Sequence, residues 1–185
     1  MNKNEALLVI DVQNEYFEGG KMPVTYPENS FEMIKECMHA ARKNNIPIIL
    51  IQHTETWEHA DSFRPGTPQH EIHPEVLEIG GTVTFEKHKP SSFHETGLDA
   101  YLKEHHIDTI TICGYMTQMC CDTTARQGAH MGYQVKFLSD ATGTLAFSND
   151  AGSVSAKTLH ETTLVTQAFA FSKVMTASEW IHSLC

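Results

Sequence analysis

The sequence predicts a three-layer α/β fold, and three observations carry that expectation. Apolar runs of strand length recur along the 185 residues, helix-like segments alternate with them, and the middle runs are apolar on both parities and rich in Ile and Val. Runs of that last kind suit strands covered on both faces, as in a parallel sheet with right-handed crossovers. The length fits one domain over residues 1–185, large enough to bury a single core.

The strand candidates are Ala6–Ile10, Pro47–Gln52, Thr82–Glu86, Thr109–Cys113, Gln134–Leu138 and Lys173–Thr176. Between the first two, Asn29 with Glu32 reads as a capping box, after which Phe31, Ile34, Met38 and Ala41 form one apolar stripe. Thr96 and Asp99 give the same start signal ahead of Leu98 and Leu102. A further helix begins near Cys120 or Cys121 and is stopped by Gly132, and Asp150 or Ser153 opens a long final one through Ala170. One segment stays irregular, from His53 to Glu78, with Trp57, Phe63 and three prolines. A loop of that length in a compact domain is more often functional than idle, so it is a candidate lid or pocket wall.

Charge and cysteine usage bound the function. Thirteen basic against 23 acidic residues give a formal charge of −10, with no basic run, which argues against an extended nucleic-acid or anionic-membrane surface. The N-terminal MNKNEALLVIDVQ turns acidic straight after a short apolar run, unlike a signal peptide, and no stretch approaches membrane-spanning length. Five cysteines without CxxC or a framework of spacings point to a reducing, cytoplasmic setting rather than a disulfide scaffold or zinc ribbon.

In open α/β sheets ligands collect beyond the carboxyl ends of the strands. Asp11 follows Leu7–Ile10 directly, Lys87 follows Thr82–Glu86, and Cys120 follows Thr109–Cys113 by a short turn at a helix start. Three strands thus deliver a carboxylate, an ammonium and a thiol toward one edge. A free thiol has a pKa near ~8.5 and attacks as thiolate. A helix N-terminus and a lysine favour that form, and a carboxylate can take the proton and hand it to a leaving amine. Backbone N–H groups of the Gly114–Cys120 turn are placed to receive an oxyanion.

Four blocks in order, "LLVIDVQNEYF", "FEKHKPSSF", "ICGYMTQMCCDTTARQGAHMGYQVKFLSDATGT" and "SAKTLHETTLVTQAFA", resemble the isochorismatase-like cysteine hydrolases, which include nicotinamidase, N-carbamoylsarcosine amidase and ureidoacrylate amidohydrolase. The resemblance runs from about Ala6 to Thr176. It implies a six-stranded parallel sheet between helical layers, a Rossmann-like arrangement, in a dimer or tetramer. It also implies an Asp-Lys-Cys triad. The D-x-Q aspartate falls on Asp11, the lysine four positions before S-x-F is Lys87 rather than Lys89, and the cysteine six residues after the glycine of G-x-x-T is Cys120 rather than Cys121. Cys121 then reads as packing. A cis bond before the nucleophile is implied at Tyr115–Met116, aiming the N–H groups of Met116 and Cys120 into one oxyanion hole.

The sequence departs from nicotinamidases after the second strand, where "QHTETWEHADSF" lacks their Asp-x-His metal pair and offers only His53, Glu55 and His59. The expectation is therefore a metal-free, cofactor-free hydrolase of a small amide, ureido or related C–N bond. Phe17, His53, Trp57, Phe63, Tyr115 and Phe147 are the candidate substrate contacts.

Overall fold

The computed structural model describes residues 4–184; residues 1–3, part of the stretch read against a leader, and Cys185 lie outside the described residues. Among the described residues eight strands form: β1 (Glu5–Ile10), β2 (Ile48–His53), β3 (Val83–Lys87), β4 (Thr109–Tyr115), β5 (Gln134–Gly143), β6 (Phe147–Asn149), β7 (Gly152–Val154) and β8 (Lys173–Met175). Six of them make one parallel sheet in the order β3-β2-β1-β4-β5-β8, and β6 with β7 is a separate antiparallel hairpin. The helices are α1 (Ser30–Lys43), α2 (Pro74–Ile79), α3 (Leu98–Glu104), α4 (Asp122–His130), α5 (Ala156–Ala170) and α6 (Ala177–His182). The expected six-stranded α/β architecture is present.

Strand β1 explains the layering. All six of its residues are buried. Leu7 and Val9 pack into a cluster with Ile34 and Met38 of α1 and Trp180 of α6. Ala6, Leu8 and Ile10 pack on the opposite face with Leu98 and Leu102 of α3 and Ala125 of α4. Side chains alternate across a strand, so one continuous apolar run feeds both cores at once.

Several local expectations are corrected. Asn29 occupies the α1 N-cap position, but its side chain caps nothing, and Glu32 instead meets Lys35 at 2.9 Å. The final long helix opens at Ala156 with Ser155 as its capping side chain, because residues 147–154 are taken up by the hairpin. The irregular stretch after β2 ends in α2, with Pro74 in its first turn. Strand β3 includes Lys87 as its last residue rather than ending before it. Gly132, with φ +93°, does stop α4 where expected.

Candidate active site

The strand order reverses between β1 and β4, with β2 and β3 on one side and β5 and β8 on the other. The carboxyl edge at such a switch point is where open α/β sheets bind ligands. Ile10 of β1 lies opposite Gly114 of β4. A Cβ at Gly114 would stand 2.0 Å from the Ile10 carbonyl oxygen, so only glycine lets the strands meet this closely. The next residue, Asp11, takes φ +51°, left-handed and costly for a residue with a side chain, a state that persists where surrounding contacts enforce it.

On the other flank, His53 ends β2 directly opposite Lys87 at the end of β3. Lys87 reaches toward β1 without a solvent-exposed atom and places Nζ 2.7 Å from Asp11 Oδ2, an ion pair in which neither side chain meets solvent. The same ammonium donates to Cys120 Sγ at 3.2 Å and lies 3.2 Å from His53 Nδ1. His53 Nε2 lies 3.0 Å from Glu55 Oε1. Both Asp11 oxygens are buried and neither takes a well-aligned hydrogen bond, Oδ2 being engaged only through the ion pair, which leaves the carboxylate able to accept a proton.

Cys120 arrives on a short π turn. The Tyr115–Met116 peptide bond is cis, the turn spans Thr117–Cys121, and α4 follows from Asp122. Helix α5 braces it: Thr117 Oγ1 lies 2.8 Å from His160 Nδ1, and Gln167 Nε2 donates to Asp122 Oδ1 at 2.7 Å. Burial raises the Cys120 thiol pKa, the Asp11 charge raises it further, and Lys87 opposes both without prevailing. Lys87 favours the thiolate as expected, but its pull is outweighed because the turn buries the sulfur before α4 begins. Burial also pushes Lys87 down, yet the charges and hydrogen bonds of Asp11 and Cys120 together lift it, so it stays an ammonium. His53 is lowered, by burial first and Lys87 second, and is a neutral imidazole.

A cavity of about 340 Å³ opens above the sulfur, lined by Cys120, His53, Phe63, Tyr16, Met116 and Met119 among others. Of the six candidate substrate contacts, His53 and Phe63 stand in it. Phe17 and Tyr115 face a separate hollow of about 550 Å³, where the Tyr115 ring packs edge-on against Tyr16 and its hydroxyl lies 3.2 Å from Ser30 Oγ. Trp57 is 58% exposed, its ring 6.2 Å from that of His59, and is not a cavity residue. Phe147 lies on the hairpin and packs against the α1 side of the core. Sequence reasoning missed Tyr16, Met116 and Met119 as walls. Both methionines precede Cys120 closely, Met119 within its turn and Met116 just before it, a proximity that was the available signal.

The metal alternative does not assemble. His53 and Glu55 meet, but His59 is exposed beside Trp57, and among the described residues no three His, Cys, Asp or Glu side chains cluster to hold an ion.

Comparison with known proteins fits this geometry. The isochorismatase domain model matches residues 5–179. Nicotinamidase 3 of Arabidopsis thaliana is 31% identical over 99% of this chain and 90% of its own length. A crystal structure of an isochorismatase-type protein from Burkholderia xenovorans superposes with a TM-score of 0.95 at 36% identity, covering 100% of this chain and 88% of that one. A cysteine hydrolase from Pseudomonas syringae does so at 0.90 and 28%, covering 98% and 92%. A match that spans all but the two ends, joined to a shared fold, makes this chain a member of the isochorismatase family of hydrolases.

Proposed function

We propose that the protein is a cysteine-nucleophile hydrolase of a small amide, ureido or related C–N bond. The observation that carries this is one buried ammonium, Lys87, held 2.7 Å from a carboxylate and 3.2 Å from a thiol at the foot of a cavity. Asp11 takes the Cys120 proton as substrate enters, and the sulfur adds to the carbonyl carbon. The N–H groups of Met116 and Cys120 receive the oxyanion. Asp11 returns the proton to the departing nitrogen, leaving a thioester. It then draws a proton from the water that attacks the thioester carbon, the C–S bond breaks to release the acid, and that proton passes back to the Cys120 thiolate. Lys87 holds the Asp11 carboxylate in place through their ion pair and steadies the negative charge on sulfur. A cavity of about 340 Å³ supports a small substrate.

The deciding experiment is ammonia or amine release from a panel of small amides, nicotinamide and ureido acids included. Cys120→Ala is expected to lower kcat/KM by about a thousand-fold or more. Activity that survives this change ends the assignment.

We infer a homo-oligomer as well. Val165 and Phe169 are 71% and 90% exposed one turn apart on α5, whose sequence carries only Lys157 and Glu161 as charges. Among the described residues no helix is long and apolar enough to cross a membrane. The free buried cysteines Cys37, Cys113, Cys120 and Cys121 support a reducing, cytoplasmic compartment.

A further inference from the structure

An ammonium has three N–H donors, and Lys87 has three partners within reach: Asp11 Oδ2 as an ion pair at 2.7 Å, and Cys120 Sγ and His53 Nδ1 as hydrogen-bond partners at 3.2 Å each. The first two belong to the chemistry proposed above. The third is set by the sheet, because His53 and Lys87 are register partners at the ends of β2 and β3. For His53 to accept at Nδ1, its proton must sit on Nε2. Glu55 Oε1, 3.0 Å from Nε2, is the acceptor that holds it there. The Phe63 ring packs edge-to-face with the imidazole, 5.2 Å away between centroids.

We propose that His53, oriented by Glu55, is a positioning residue: its neutral Nε2–H tautomer is the third acceptor that fixes the Lys87 ammonium between Asp11 and Cys120. The inference rests on the Asp11–Lys87–Cys120 reading and deepens it. Lys87 is fully buried, so a donor deprived of its partner has no water to turn to. Burial pulls Lys87 toward the neutral amine, and its contacts with Asp11 and Cys120 outweigh that pull. Without His53 the charge is harder to keep and the ammonium is free to rotate away from sulfur. The carboxylate of Glu55 acts through the imidazole and does not itself touch Lys87.

Side-chain geometry separates this role from mere packing. Asparagine places its amide oxygen near the position of histidine Nδ1, whereas leucine fills similar space and accepts nothing. The readouts are iodoacetamide alkylation of Cys120 at fixed pH, followed by intact mass with Cys120→Ala as the blank, and the imidazole ¹⁵N shifts of histidine-labelled protein, with His53→Asn assigning the signal. His53→Leu is expected to slow alkylation by about 10–100-fold, His53→Asn to stay within about three-fold of wild type, and Glu55→Gln to lie between them. The ¹⁵N shifts should report a neutral ring protonated at Nε2. A His53→Leu protein that alkylates at or above the wild-type rate, a His53→Asn protein as slow as His53→Leu, or a ring protonated at Nδ1 would each overturn the proposal. Should His53→Leu fail to fold, the asparagine variant and the spectrum decide it alone. If Cys120 itself reacts no faster than Cys121, or Cys120→Ala keeps its activity, the nucleophile assignment has failed, which is a different result.

Discussion

Cys120 keeps 6% of its surface exposed where it meets the cavity, whereas its neighbour Cys121 keeps none and packs among Ala125, Phe137 and other apolar residues. Burial drives the thiol pKa of both upward, but only Cys120 has an ammonium donating to it. The proposed mechanism therefore gives the adjacent thiols different roles, Cys120 as the nucleophile and Cys121 as a small apolar filler. Cys121→Val, which roughly conserves volume, should leave kcat/KM within about three-fold of wild type. A loss as deep as that of Cys120→Ala, measured in the same assay, would show that the assignment between the two is wrong.

The cavity walls come from segments that one buried carboxylate ties together. Glu15, 2% exposed, accepts the N–H of Lys21 at 2.7 Å through Oε1 and that of Phe63 at 3.3 Å through Oε2. Met22 and Phe63, both cavity residues, lie on the two segments so joined. The stretch from Glu15 to Lys21 also needs Gly20, where a Cβ would fall 2.2 Å from the Glu15 carbonyl oxygen. Glu15→Ala leaves two inward N–H groups without acceptors, at a cost of about 1–3 kcal/mol. The expected kinetic signature is a raised KM with kcat less affected, since the walls loosen while Asp11, Lys87 and Cys120 keep their strands. Equal losses in kcat alone would place Glu15 in the chemistry instead. At the opposite edge of the sheet, Glu5 accepts from Trp180 Nε1 at 2.7 Å and Lys136 Nζ at 2.8 Å, pinning α6 and β5 to β1.

At the scale of the molecule, the buried thiols set a pH trend. Burial raises the pKa of Cys37, Cys113, Cys120 and Cys121 alike. In the unfolded chain such thiols release protons above about pH 8.5, while the folded chain holds its own. The unfolded state then binds fewer protons, the slope of unfolding free energy with pH is negative, and stability falls as pH rises beyond that point. Melting temperatures under reducing conditions should be level near neutrality and decline above about pH 8.5. A flat profile into stronger alkali would contradict this burial. The second whole-molecule expectation concerns α5: Phe169→Glu should lower the sedimenting mass, because it puts a charge on the ridge formed with Val165. An unchanged mass would place the subunit contact elsewhere.

The sequence by itself determined the layered α/β class, since strand-length apolar runs set between helical patterns bury themselves on a sheet in few ways. It also determined Asp11, Lys87 and Cys120 as a candidate set, because each follows or ends a strand and strand ends share an edge. Only the tertiary structure decided which aromatics face the cavity: Phe63 does and Trp57 does not, a matter of how an irregular segment folds back, which no periodicity encodes. It alone showed how deeply the thiol is buried, and burial raises its pKa against the pull of Lys87. The register partnership of His53 with Lys87 is likewise invisible along the chain, because hydrogen bonding between β2 and β3 fixes it across 34 positions.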